Sequence, residues 1–124
     1  MIYAVIDIGS NSIRMNVYRV RNEKFRLLFS KKAMAGIVSY VRDGRLNKDG
    51  IGVLCSTLDG FSKVLTQLEI DRSYVFATAS LRNIDNTREV LAAIERKTGW
   101  KVNVLDGRQE ALLSFHGASL QLHN

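Results

Sequence analysis

Apolar residues fill Ile2 to Ile8 with little interruption, the small polar run Gly9-Ser10-Asn11 breaks them, and Ile13 to Val20 resumes with a period of two. In that second run Ile13, Met15 and Val17 fall on one side and Arg14, Asn16 and Tyr18 on the other, which predicts a strand buried on one face. Arg21-Asn22-Glu23-Lys24 supplies another turn, after which Phe25, Leu27 and Phe29 alternate with Lys24, Arg26 and Leu28. The pattern predicts a meander of three strands.

Periodicity weakens from Ala35 to Asn47, where Gly36 and Asp43-Gly44 predict a loop carrying at most a short strand at Ile37 to Val41. From Lys48 onward, Ile51, Leu54, Leu58, Phe61, Leu65 and Leu68 recur at spacings of 3, 4, 3, 4 and 3, the apolar stripe of a long helix. Its interior Gly52 and Gly60 each cost about 1 kcal/mol relative to alanine, and close packing against them is the expected compensation. Ser73 to Ala79 reads as a buried strand. Asn86 with Glu89 three residues later has the form of a helix N-cap with its reciprocal acid, Val90, Leu91 and Ile94 make the apolar face, and Lys97 and Gly99 mark the end. Trp100 to Leu105 predicts a strand, and Gln109 to His123 a last helix with Leu112, Phe115 and Leu122 on one side.

A meander followed by two helix-to-strand units predicts an α/β fold, with three antiparallel strands continued by parallel strands and helices on the faces. In such an open sheet, ligands sit outside the carboxyl ends of the strands. The loops at 9–12, 78–86 and 106–110 are therefore the expected functional loops.

Composition narrows the picture. A chain of 124 residues, 46% hydrophobic and 24% charged, fits one ordinary globular domain. The single cysteine, Cys55, has no intrachain disulfide partner and lies in an apolar-periodic segment, so it reads as a small core residue. Asp7 and the polar run after Ile8 cut short any export signal, and no apolar stretch reaches about 18 residues, which predicts a cytoplasmic protein with no membrane partner. The formal charge of +6 favours anionic partners, but the basic residues look scattered along the sequence and show no aromatic-interleaved stripe. No specific nucleic acid is expected. His116 and His123 lie seven apart on the last helix without a third ligand and are assigned no metal.

The segment Val5-Ile6-Asp7-Ile8-Gly9-Ser10-Asn11-Ser12 places an acid near a strand end, then a small-residue turn whose backbone N–H groups can converge on a phosphate. Gly9 permits close backbone approach, Ser10, Asn11 and Ser12 add side-chain donors, and Asp7 can hold a hydrated Mg²⁺ against phosphate oxygens. Taken alone, the octapeptide would equally suit an ordinary hairpin turn after a buried strand.

This acid-x-Gly-Ser-Asn-Ser hairpin resembles the first phosphate loop of the Ppx/GppA family, within the superfamily of acetate kinase, sugar kinases, Hsp70 and actin. Two more segments agree, in the family's order. Ala77-Thr78-Ala79-Ser80-Leu81-Arg82-Asn83-Ile84-Asp85-Asn86 resembles its Ala-Thr-x-x-Leu-Arg-x-x-x-Asn stretch, and Asp106-Gly107-Arg108-Gln109-Glu110-Ala111 its Ser-Gly-x-Glu-Glu-Ala stretch. The resemblance implies a ribonuclease H-like fold, and hydrolysis of the terminal phosphate of polyphosphate or the 5′-phosphate of guanosine pentaphosphate, assisted by Mg²⁺ or another divalent cation. It places Glu110 at the catalytic acid position, where a carboxylate would orient and deprotonate the attacking water, and Arg82 at a position that could contact the polyanion bidentately. Without the resemblance, Glu110 would be explained by its place in the first turn of a helix, and Arg82 by solvation.

The departures also carry expectations. Gln109 stands where the family has the first acid of its pair, which removes a negative charge and could alter metal affinity or proton transfer. The Ala35 to Arg45 region matches poorly, so Arg42 and Arg45 are left out of the site. The family's second phosphate loop, Asp-x-Gly-Gly-Gly-Ser, occurs nowhere in the chain. Residues 1–124 are therefore expected to be the N-terminal lobe of a two-lobed enzyme, inactive or nearly so without its other lobe. Apolar surface left by that absence could drive homo-oligomerisation. Two rival readings remain at this level: a non-catalytic phosphate- or nucleotide-binding module, and the ATP-binding lobe of a sugar or acetate kinase relative.

Overall fold

A computed structural model describes residues 1–109 of the chain. The meander is present as β1 (Ile2–Ile8), β2 (Ile13–Arg21) and β3 (Lys24–Ala33), joined by antiparallel pairing. A parallel strand, β6 (Arg72–Ala77), lies against β1, and β7 (Asn103–Val104) lies parallel against β6, giving the order β3-β2-β1-β6-β7. The small hairpin β4 (Val41–Arg42) and β5 (Arg45–Leu46) stands apart from this sheet.

One face of the sheet supplies the core. Period-two alternation turns Ala4, Ile6 and Ile8 of β1, Ile13, Met15 and Val17 of β2, and Val75 and Ala77 of β6 to the same side, where all are buried. Helix α1 (Lys48–Thr66) covers them with Leu54, Leu58, Phe61 and Leu65, and α3 (Thr87–Thr98) with Val90 and Ile94. Full burial of each such large side chain is worth about 1.5–3 kcal/mol, so this face is the main source of cohesion. Cys55 is buried on α1 within the same cluster, and burial pushes its thiol above the ordinary range against the lowering influence of Arg96 and Lys97. It is a core residue, as expected.

Several elements depart from the periodicity. The expected strand at Ile37 to Val41 is instead a 3₁₀ turn (Ile37–Tyr40) running into the β4–β5 hairpin. That hairpin turns on Asp43 and Gly44, both at positive φ (52° and 77°), a two-residue loop of the type Asp-Gly favours. The strand expected to reach Ala79 stops at Ala77, because Ala79–Arg82 forms one turn of helix, α2, anchored by the fully buried Leu81. The strand expected over Trp100 to Leu105 is confined to Asn103–Val104, since half-buried Trp100 and Val102 pack against the core instead of pairing.

Leu68 falls outside α1 and is exposed. Nor do Gly52 and Gly60 mediate close packing, for a Cβ at either would meet nothing within 4 Å. Close approach occurs at Gly50, where a Cβ would lie 2.5 Å from Tyr40 Cβ and 2.6 Å from Leu46 Cδ1. This fits the β4–β5 hairpin against the first turn of α1.

Asn86 makes no capping bond to α3. Its carboxamide is buried and pairs with the backbone of Leu46, accepting from the N–H and donating to the C=O at 3.0 Å each, with a further bond to Glu89 at 3.3 Å. The side chain thus acts as a strand partner for β5 and ties the hairpin to α3. At the other end, Gly99 closes α3 at φ 77° with its amide on the Glu95 carbonyl, as the sequence suggests. Among the described residues no helix is long and apolar enough to cross a membrane.

Candidate functional site

The three parallel strands end together. Ile8 pairs with Ala77, Ala77 pairs with Val104, and the Leu105 amide donates to the Ala77 carbonyl at 2.8 Å. All three expected loops therefore leave the same edge of the sheet, where an open sheet of this kind places its ligands.

The first loop is a braced turn. The Gly9 amide donates to the Ser12 carbonyl at 2.9 Å, and a Cβ at position 9 would stand 2.8 Å from that oxygen, so glycine is required sterically. The segment after β3 holds the loop from outside: the Gly36 amide donates to the Asn11 carbonyl (2.9 Å) and the Val38 amide to the Ser10 carbonyl (3.0 Å). From the opposite side, Ser80 Oγ donates to the Ile8 carbonyl at 2.8 Å. These bonds occupy the carbonyls of Ile8, Ser10, Asn11 and Ser12 and so restrain the turn. Gly9, Ser10 and Ser12 are half-buried and Asn11 is exposed, so packed side chains do not seal the turn.

Asp7 is exposed on the outward face of β1, between Arg14 of β2 and Phe76 of β6 in register. Mg²⁺ is commonly held by one or two carboxylates with phosphates and water completing its shell, and an exposed carboxylate at this position is of the kind that could serve. Among the described residues no three of His, Cys, Asp and Glu gather into a metal cluster.

Arg82 ends α2 and is half-buried, with Nη1 donating to the Leu105 carbonyl at 2.7 Å. That bond spans the second and third loops and fixes the guanidinium at the common strand edge. Glu110 lies outside the described residues. Its neighbour Gln109 is engaged with Asp106: its Oε1 accepts from the Asp106 amide (3.0 Å) while its own amide donates to Asp106 Oδ1 (2.8 Å). This is a reciprocal helix cap, a role that glutamine fills as well as glutamate. The loss of charge at position 109 thus falls on a capping side chain.

Sequence reasoning did not give Ser80 a role, although it lies inside the Ala77 to Asn86 segment. Beside the loop, a cleft of about 250 Å³ opens between the 3₁₀ turn and α2, with Ser10, Ser80 and Asn83 as its polar lining and Ile37, Val41 and Ile84 among the apolar.

The site and sheet define an α/β domain of the ribonuclease H-like, actin-like class. Residues 16–124 match the Ppx/GppA phosphatase family, and the chain belongs to it. Exopolyphosphatase 1 of Mycobacterium tuberculosis and of Mycobacterium bovis is 29% identical over 113 residues, 90% of this chain and 33% of that protein. The chain thus spans about a third of the length of the curated relatives it matches. Among solved structures, a Ppx/GppA family member of Aquifex aeolicus superposes with a TM-score of 0.83 at 28% identity, covering 89% of this chain and 36% of that one. An exopolyphosphatase of Cytophaga hutchinsonii shares the fold at a TM-score of 0.85 and 22% identity, covering 91% of this chain and 36% of its own. The family match begins at Asn16, so the assignment of the 9–12 loop rests on its geometry.

Proposed function

We propose that residues 1–124 form the first lobe of an exopolyphosphatase or guanosine pentaphosphate phosphohydrolase, the catalytic cleft being completed by a second lobe. The observation that carries this reading is the braced 9–12 turn at the shared end of three parallel strands, with Arg82 fastened to the same edge. Backbone N–H groups there, with Ser10, Asn11 and Ser12, would hold the terminal phosphoryl group. Arg82 would neutralise charge on its oxygens. Glu110 would orient a water and accept its proton as the water oxygen bonds to phosphorus and the bridging P–O bond breaks, releasing orthophosphate and a chain shorter by one unit. Mg²⁺ bound through Asp7 would supply further charge neutralisation.

Phosphate release by this chain, alone and with a family second lobe added in trans, tests the reading. The expected result is little or no turnover alone and turnover on complementation, lost with Glu110→Gln. Turnover by the isolated chain equal to that of an intact relative would refute the two-lobe requirement. Orthophosphate release that survives Glu110→Gln would refute the assigned base.

A further inference from the structure

The scatter of basic residues along the sequence does not survive folding. Residues 13–33, the β2–β3 ribbon, hold seven of the eighteen Lys and Arg and one acid, Glu23, for a net charge of +6. Strand alternation divides these cations by face. Arg14 and Lys32 stand opposite each other on the outward face, whereas Arg19, Arg21, Lys24, Arg26 and Lys31 share the side of Met15 and Val17.

The two outward cations belong to one row. Register across the sheet runs Phe76, Asp7, Arg14, Lys32, from β6 through β1 and β2 to β3, at the end where β1 enters the 9–12 loop. Asp7 is the only acid in the five strands of the sheet. Behind the row the face is neutral: Ser30 Oγ donates to Asn16 Oδ1 at 2.6 Å, and Asn16 Nδ2 donates to the Tyr18 hydroxyl at 3.2 Å. One carboxylate and two cations are thus set side by side at the mouth of the loop.

The usual structural roles do not account for Arg14. Edge protection explains Lys32 on β3, the outermost strand, but not an arginine on β2, an interior one. Arg14 is exposed, so it adds nothing to the core. It faces Lys32, and directly opposed like charges destabilise a sheet. Although it also stands opposite Asp7, it joins no salt bridge among the described residues, the two present being Arg45–Glu89 and Lys63–Asp59.

Electrostatics gives it a role. Side chains directly opposite in a sheet have Cβ atoms about 5 Å apart, and Lys32 is about 10 Å from Asp7, two strand spacings away. Cations at those separations oppose a free divalent ion at Asp7 and attract a phosphate at the loop. A phosphate bound there reverses the local field and adds oxygen ligands that one carboxylate cannot supply.

We propose that Arg14, assisted by Lys32, orders the loading of this site: it draws phosphate in and keeps free Mg²⁺ off Asp7, so that the ion binds in company with phosphate. This rests on the phosphohydrolase reading and deepens it by naming the residue that couples the two ligands.

The test uses the 124-residue chain and its variants Arg14→Gln, Arg14→Lys and Lys32→Gln, with Asp7→Asn as the control for the metal position. Near 20 mM salt, Mn²⁺ binding is followed by electron paramagnetic resonance without phosphate, tripolyphosphate binding is measured in excess chelator, and thermal melting is recorded beside both. Arg14→Gln is expected to bind Mn²⁺ more tightly and metal-free tripolyphosphate more weakly, each by roughly threefold to tenfold, with both shifts fading near 0.5 M salt. Lys32→Gln should move both in the same directions by less, Arg14→Lys should restore the parent's behaviour, and Asp7→Asn should abolish Mn²⁺ binding. Opposed shifts of this kind cannot come from a loosened strand, which would weaken both ligands and lower the melting temperature together. That joint loss would overturn the proposal, as would two unchanged affinities, a fall in Mn²⁺ affinity with Arg14→Gln, Mn²⁺ binding that survives Asp7→Asn, or a parent chain that binds neither probe. Opposed shifts in a chain that never releases orthophosphate, even with a second lobe, would leave the role of Arg14 standing and remove the enzymatic reading. Hydrolysis on complementation with both affinities indifferent to Arg14 would do the reverse.

Discussion

Strand β2 begins and ends in a turn, and the two turns are built by opposite means. The 9–12 turn is braced from three directions: its own Gly9–Ser12 bond, two amides of the segment after β3, and Ser80 of α2. Among the described residues the Asn22-Glu23 turn takes no hydrogen bond from outside its own strands, and nearby the chain terminus pairs with Val20, the Val20 amide on the Met1 carbonyl and the Met1 ammonium on the Val20 carbonyl. Its two central residues stand at positive φ, 49° and 64°, without glycine. Tertiary bracing fixes the backbone of the first turn, whereas the second reverses the chain at the cost of local strain.

The largest effect should come from breaking the braced turn at its tightest point. Gly9→Ala sets a methyl 2.8 Å from the Ser12 carbonyl oxygen, a backbone atom with little freedom to retreat. The turn must open, losing the Gly9–Ser12 bond. The expected cost is about 2 kcal/mol of unfolding free energy in urea titration, with loss of measurable tripolyphosphate binding. Unchanged stability and binding would show that the cradle does not depend on this geometry.

Ser80→Ala is the milder version, removing the brace from α2 while leaving the turn's own bond. About 1 kcal/mol of stability should go with the hydroxyl's bond to Ile8. If the brace positions the cradle, tripolyphosphate affinity should fall by a larger factor than Gly52→Ala produces. That exposed helix position touches neither loop, and alanine there should stabilise by up to about 1 kcal/mol. Equal binding by both variants would assign Ser80 to folding alone.

The same contrast explains what was legible in the sequence. Ile6, Met15 and Leu58 announce a one-faced sheet under a helix because burial imposes a period on side chains, and Gly9 among small polar residues announces a tight turn. The braces from Gly36 and Val38 are invisible because a backbone amide carries no residue signature. The Asp43-Gly44 hairpin has strands of two residues, too short for any period, and α2 is a single turn. Asn86 stands at the N-cap of α3 as its residue type suggested, but its amide side chain imitates a strand's backbone instead of capping the helix. Arg19 and Arg26 look unrelated until the register puts them face to face. Glu110, named by resemblance, lies outside the described residues.

The smallest effect lies at the far turn. Glu23 holds φ 64°, a conformation that costs a side chain about 1 kcal/mol and costs glycine nothing. Glu23→Gly creates the Asn-Gly pair that two-residue hairpins prefer, and unfolding measured near 0.5 M salt should show a gain of up to about 1 kcal/mol. The substitution also removes the only acid of the ribbon, raising its charge from +6 to +7. Near 0.05 M salt, where the Debye length exceeds about 10 Å, added repulsion should offset part of the gain. A gain independent of salt would mean that the cations at this end of β2 do not act together, and the difference between the two turns would reduce to backbone strain.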